Sequence, residues 1–279
     1  MKLYKKGKYF RKIMEMFPLI LFFLTVVGSL FFLINTSLKS PSEYMVNKIG
    51  LPNSPTLGNF KEVFSKTYFL RWVFNSILIT AGTLVVSAFI SILVSYGFSS
   101  TRFKFKNTAF AMVSAFMVVP PIVLIGPLHE LLSKLKMVNT YYGTISVYII
   151  FIVPFWTFFL TKFFMSINKS IIDSAKIDGC TDFGLLFKII IPLSKAPIMT
   201  VATVSTLWVW NDLLISLIIL QRDSLRTLIV GLTIFKGWYS TNVPATFAGL
   251  IIATIPMLIF YIVGQRFFRK GILSGSVKE

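Results

Sequence analysis

Few side chains in this sequence could do chemistry, and they lie far apart. With one histidine, His129, no Ser–His–Asp hydrolase set is expected. With one cysteine, Cys180, neither an internal disulfide nor a cysteine zinc site can be built, and a small residue filling a tight place is expected there. No Gly-x-x-x-x-Gly-Lys-Ser/Thr segment occurs, so ATP is not expected to bind through a phosphate loop. The carboxylate that stands out is Asp212, the only charge inside the apolar run 196–221. A charge at the centre of a membrane helix costs roughly 2.5–3.5 kcal/mol, so Asp212 is expected to face protein or water. It follows Lys195 by 17 residues, about 25 Å along a helix, toward the far leaflet. Trp208, Trp210 and Asn211 surround it in sequence. Aromatic faces beside amide and carboxylate acceptors suit a sugar, with stacking on CH faces and hydrogen bonds to hydroxyls. The same four residues equally suit a contact with a partner subunit. His129, next to Glu130, reads either as a wetted interfacial residue or as a proton carrier.

A second candidate is the stretch 166–193, long for a loop and carrying its own helix punctuation. Ser170 followed by Asp173 is a capping-box-like start, and the spacing predicts a two-turn helix over Ile171–Asp178. Gly179 can take the left-handed conformation that ends it. Thr181 and Asp182 can cap a second helix through Phe187 and Ile190, which Pro192 breaks. The first helix places Ile171, Ala175 and Asp178 on one face, with Ile172 and Lys176 beside them. Ala175 and Gly179 are small enough for another surface to come close. A helix this short is unstable alone and must pack on its neighbour or on a partner. An ordinary loop with a capped turn would carry the same signals.

These residues must be positioned by membrane helices. Of 279 residues, 55% are hydrophobic and 14% charged, against about 25% charged in soluble domains. The mean hydropathy is +0.78. Six uncharged or nearly uncharged runs reach the roughly 20 residues needed to span a bilayer: 16–38, 72–101, 107–129, 137–161, 196–221 and 237–265. The run 183–194 is too short to cross and is expected at the interface or leading into the fifth span. The first run is too long for a secretory signal and is expected to be retained. The fold class expected is an all-α membrane protein of six transmembrane helices. The net charge of +18 would suggest nucleic acid in a soluble protein, but here the cations cluster between apolar runs, and no nucleic-acid partner is expected. With the N-terminus inside, 18 of the 28 lysines and arginines fall on the cytoplasmic side, so both termini are expected there. The outer segment 39–71, with Pro41, Gly50, Pro52, Pro55 and Gly58, reads as irregular apart from a short helix near 60–69.

The run Asp173-Ser-Ala-Lys-Ile-Asp-Gly179, followed by Phe187-Lys-Ile-Ile-Ile-Pro-Leu193, resembles the signature loop of ABC importer permeases, which reads Glu-Ala-Ala, two residues, Asp-Gly, then an apolar stretch closing on Leu-Pro. Asp173 stands where Glu is usual, Ser174 where the first Ala is usual, and Ile191 where Leu is commoner before Pro192. Asn75-Ser76, Pro120-Pro121, Pro127 to Leu135, Asn139-Thr-Tyr-Tyr-Gly143 and Trp210-Asn211-Asp212 are similar to the sugar-importer branch of that family. The ending 265–279 looks like the tail of the maltose permease G subunit and its relatives.

The resemblance implies a basic cytoplasmic tail 1–16, a permease domain 17–264 with its coupling loop at 166–195, and a cytoplasmic tail 265–279. That last tail is either frayed or reaches toward the ATPase. It implies a transport subunit that is not an enzyme and binds no cofactor itself, with ATP and Mg on a separate ATPase. The implied partners are a second permease subunit, two ABC ATPase subunits, an extracytoplasmic solute-binding protein and the lipid bilayer. The implied location is the inner membrane, multi-pass. The residues implied in ATPase coupling are Asp173, Ser174, Ala175, Ile177, Asp178, Gly179 and Pro192. Half of a pathway for a di- or oligosaccharide is the function this implies. A permease for another solute such as glycerol phosphate, or an ion-coupled secondary transporter, stands as the alternative. The latter class often shows two related halves and several intramembrane charges, which this sequence lacks.

Overall fold

The computed structural model describes residues 2–66, 68–233 and 242–276, with side chains at 14, 16–66, 68–233, 242–262 and 265. Among these residues the regular structure is all helical, without strands. In order come α1 (Lys2–Ser37), α2 (Pro41–Val46), α3 (Gly58–Ser65), α4 (Phe69–Ser100), α5 (Lys106–Ala115), α6 (Pro121–Lys134), α7 (Tyr141–Ser166), α8 (Lys169–Ile177), α9 (Asp182–Leu185), α10 (Ile191–Leu193), α11 (Lys195–Asn211), α12 (Leu214–Ile219), α13 (Leu228–Leu232) and α14 (Val243–Ser276).

Four helical segments are long and apolar enough to cross a bilayer unaided: Met16–Ser37, Phe69–Ser100, Tyr141–Ser166 and Val243–Ile262. The expected third and fifth spans are not straight rods. Lys106–Val118 meets Pro121–Lys134 at 98°, and Asp182–Leu193 meets Lys195–Asn211 at 73°; counting each bent pair as one span gives the six expected. The 98° bend falls at Pro120-Pro121, since Pro120 supplies no N–H and holds an extended backbone (ψ 131°) before α6 begins. α1 starts at Lys2 and α14 runs to Ser276, so most of what reads as tails at 1–16 and 265–279 continues the neighbouring spans as helix. The motif side chains of 266–279, and the start of the sixth run at 237–241, lie outside the described residues.

The chain forms two compact units, 1–67 with 232–254, and 68–231 with 255–279. In the first, Phe32 meets Phe247 edge-on at 5.9 Å, and Asn242 donates to Glu62 at 3.0 Å. The second is organised by α4 against α7. Ser76, Thr80, Thr83, Ser87, Ser91 and Ser95 recur every three or four residues along α4, all buried. Small side chains let membrane helices approach closely, and the Ser91 and Ser95 hydroxyls donate to the α7 carbonyls of Val153 (3.4 Å) and Thr157 (3.2 Å). Around this pair lies the core: Ile79, Tyr148, Trp156, Leu160, Leu185, Leu186 and Ile190.

Candidate functional sites: a capped helix outside the spans and a broken span

α8 is capped by Asn168, whose Oδ1 accepts from the Ser170 N–H at 3.0 Å; the cap is two residues earlier than the Ser170 start read from the sequence. Asn168 wins because it stands just before the first helical residue with extended backbone, whereas Ser170 is already inside the turn. The far end follows the Schellman pattern. The Cys180 N–H donates to Ala175 O at 2.9 Å and the Gly179 N–H to Lys176 O at 3.1 Å, with Gly179 at φ +76°. Thr181 caps α9 by accepting from the Gly184 N–H at 3.2 Å. A π-helical turn, Leu186–Ile190, follows. Pro192 lacks the N–H that an α-turn would donate to Lys188, and the wider turn relieves the clash with that carbonyl. The break expected at Pro192 comes instead just after it, at Ser194.

The inward face of α8 is Ala175 (8% exposed) with Ile172 against the core; Ile171 turns outward at 42%. Leu185, Leu186 and Ile190 anchor the segment in the core at 1% exposure each, while Ile177 and Phe183 stand out at 86% and 71%. Asp173, Ser174, Asp178 and Pro192 are exposed, and an added Cβ at Gly179 would meet nothing within 4 Å. The segment is a rooted pedestal with apolar tips. Cys180 is half-buried and packs its sulfur against Gly184, as a small filler does. Two participants escaped the sequence reading. Phe183 looked like any apolar residue after a cap, and Tyr96, whose hydroxyl donates to Asp182 Oδ1 at 3.2 Å, sits 86 residues away.

The second site is where the fifth span breaks. α11 ends at Asn211, Asp212 is extended, and α12 restarts at Leu214. Asp212 Oδ2 accepts from the N–H groups of Ile215 (3.0 Å) and Ser216 (3.2 Å) and from the Tyr148 hydroxyl (2.8 Å). The Tyr148 oxygen also lies 2.7 Å from Ser216 Oγ. Asp212, one residue before the N-cap Leu213, thus closes the first turn of α12 while remaining a half-exposed carboxylate. The four residues that neighbour one another in sequence do not converge. Trp210 turns into the chain at 4% exposure, whereas Trp208 (38%), Asn211 and Asp212 border an open hollow of about 580 Å³ with Leu207 and Leu214. Trp208 also borders a cavity of about 290 Å³ beside Phe116, Met117, Pro121, Phe151 and Phe155, opened by the bend at Pro120. Its ring meets Tyr148 edge-on at 5.8 Å.

The other motifs brace this frame. Asn75 Nδ2 donates to the carbonyls of Ser224 (3.0 Å) and Arg226 (2.9 Å), and Ser76 Oγ accepts from the Leu228 N–H at 2.8 Å. Asn139, at φ 59°, accepts from the N–H groups of Gln221 (2.8 Å) and Arg222 (2.9 Å). Gly143 is required because a Cβ would strike the Met137 carbonyl. His129 stands 3.5 Å from the Gln221 amide, and Glu130 pairs with Lys134 at 2.7 Å. Among the described residues no cluster of three or more His, Cys, Asp or Glu could hold a metal.

Comparison with known proteins agrees with this layout. Residues 87–272 match the family model for the binding-protein-dependent transport system inner membrane component. A putative ABC transporter permease protein, ORF2, of a Caldicellulosiruptor species is 33% identical over 88% of this chain and 90% of its own length. The arabinooligosaccharides transport system permease AraQ of Halalkalibacterium halodurans is 33% identical over 88% of this chain and 89% of its own. The melibiose/raffinose/stachyose import permease MelC of Bacillus subtilis is 27% identical over 89% and 90%. In fold, the chain matches a crystal structure of a bacterial ABC transporter involved in import of the acidic polysaccharide alginate, with TM-score 0.80 and 19% identity over 94% of this chain and 98% of that one. A match over most of its length, together with a loop helix rooted in a multi-span bundle, means that this chain belongs to the family of binding-protein-dependent transport system inner membrane components, the multi-pass permease subunits of ABC transporters.

Proposed function

We propose that this chain forms half of the translocation pathway of an ATP-driven importer for a di- or oligosaccharide. An external binding protein delivers the sugar. A second permease completes the pathway, and two ATPase subunits, which hold ATP and Mg, drive it. The observation that carries the reading is the α8 pedestal: leucines and isoleucine buried below, Ile177 and Phe183 bare above, on a connection between spans. Apolar tips on a rigid base outside the bilayer suit a cleft on another protein. The excess of lysine and arginine on that side of the membrane favours a cytoplasmic position for the pedestal and both termini.

In this reading α8 seats in the ATPase and moves with it, and Asp173 pairs with a basic residue there through a charge-assisted bond worth about 1.5–3 kcal/mol. Gly179, with open space around it, lets that surface come close beside the exposed Ser174 and Asp178, Ala175 holds α8 on the core beneath, and Pro192 sets the turn into the fifth span. Trp208, Asn211 and Asp212 border the pathway, offering an aromatic face and hydrogen-bond acceptors to sugar hydroxyls; Trp210 supports them from within. The relatives named for arabinooligosaccharides and for melibiose, raffinose and stachyose favour a saccharide over a phosphate ester or an ion-coupled solute.

The test is reconstitution of the complete importer in liposomes with its binding protein. ATP hydrolysis stimulated by a saccharide-loaded binding protein is expected. Stimulation by glycerol phosphate alone, or uptake driven by a proton gradient without ATP, would replace this reading.

A further inference from the structure

The connection that follows the first span is built inside out. In a water-facing loop the carbonyls point to solvent and apolar side chains fold under. Here five consecutive backbone carbonyls, 47 to 51, are taken up by side chains of the protein itself. The Lys39 ammonium, 0% exposed, donates to Asn47 O (2.8 Å) and Lys48 O (3.3 Å). Asn35 Nδ2 donates to Ile49 O (3.4 Å) and Gly50 O (2.9 Å), and Asn47 Nδ2 to Leu51 O (3.0 Å). The Gly50 N–H donates back to Asn47 Oδ1 at 2.8 Å. Buried Asn59 ties the chain at both sides of this cluster, donating to Ser37 O and Lys39 O at 2.7 Å each. Around this cluster the loop exposes four large apolar side chains, Met45 at 76%, Val46 at 91%, Ile49 at 83% and Leu51 at 67%, with the polar Ser42, Lys48, Asn53 and Ser54 exposed among and beyond them.

We propose that this loop, Ser40 to Leu57, is a bilayer-interface anchor whose apolar tips insert among lipid headgroups and upper acyl chains. Irregular backbone can enter a region poor in water only when its polar groups are satisfied by the protein, and the carbonyls of 47 to 51 meet that condition. Its place argues for lipid as the occupant. It leaves the end of α1, an apolar helix whose side chains from Met16 to Leu30 are exposed, and Met45 lies eight residues beyond Ser37. Lys48, exposed between the apolar tips, is placed to meet a headgroup phosphate, as basic residues do at interfaces. The inference is independent of which face of the membrane carries the loop.

The experiment uses the whole importer in phosphatidylethanolamine/phosphatidylglycerol liposomes, carrying Val46→p-benzoylphenylalanine or Ile49→p-benzoylphenylalanine. Both positions are so exposed that the larger ring displaces nothing. After irradiation, mass spectrometry of the permease is expected to find phospholipid joined at both positions, with and without the binding protein. Joining to the binding protein, joining to the second permease, or no adduct, as for a side chain facing water, would each overturn the proposal.

Discussion

Tyr96, near the end of α4, donates its hydroxyl to Asp182 Oδ1 at 3.2 Å and so ties a transmembrane helix to the first turn of α9. This is a direct polar link between the pedestal and a span on the far side of the sequence. Burial and the neighbouring Asp182 charge make that hydroxyl a held donor. A hydrogen bond of this kind contributes about 0.5–1.5 kcal/mol, so Tyr96→Phe is expected to loosen the joint without unfolding the bundle. Sugar transported per ATP hydrolysed should fall about two- to tenfold while hydrolysis itself continues. Parallel measurement of uptake and phosphate release in liposomes checks this, and an unchanged ratio would remove Tyr96 from the coupling path.

Gly179 tests the pedestal. Its φ of +76° is costly for any residue with a Cβ, by about 1–2 kcal/mol, although space around it is open. Gly179→Ala should weaken the end of α8 mildly. Gly179→Phe should leave the protein inserted at normal levels yet abolish ATP-coupled uptake and co-purification of the ATPase. Normal uptake in the second variant would refute the coupling role.

At the break in the fifth span, the carboxylate of Asp212 closes the first turn of α12 and accepts from Tyr148. Loss of a helix cap costs about 1 kcal/mol, and leaving the buried Tyr148 hydroxyl with one partner fewer adds to it. Asp212→Ala is expected to lower the thermal stability of the purified complex, and Asp212→Asn to lower it less, because an amide oxygen still accepts. Tyr148→Phe combined with Asp212→Ala should cost less than the two added together, since both remove the same bond. Additive losses would show that the pair is not coupled.

The two tryptophans near that break should separate cleanly. Trp210→Ala empties a buried site, and core truncations of this size cost about 3–5 kcal/mol, so expression and stability should suffer. Trp208→Ala, at a half-exposed ring on the hollow, should spare stability and raise the saccharide concentration needed for half-maximal uptake. Equal stability losses in both variants would end the assignment of Trp208 to the pathway.

Much of this organisation was legible in the residues alone. Uncharged runs of about 20 residues have few alternatives to a membrane helix, because backbone polar groups must be satisfied locally in lipid. Gly179 was readable as a left-handed end because few other residues tolerate that backbone, and Asp178-Gly179 marked the end of the short helix between the fourth and fifth spans. Such features are local: they depend on one residue or one period.

What depended on distant partners was not legible. The inward turn of Ile172 rather than Ile171 follows from how α8 meets the core. The link from Tyr96 to Asp182 and the loop carbonyls held by Lys39 and Asn35 join residues whose proximity no spacing encodes. The chain by itself determined its solvent, its spans and the place of the short helix α8 between two of them. Tertiary packing decided which side chains those helices bury and which they present, because burial is a property of neighbours brought together in space.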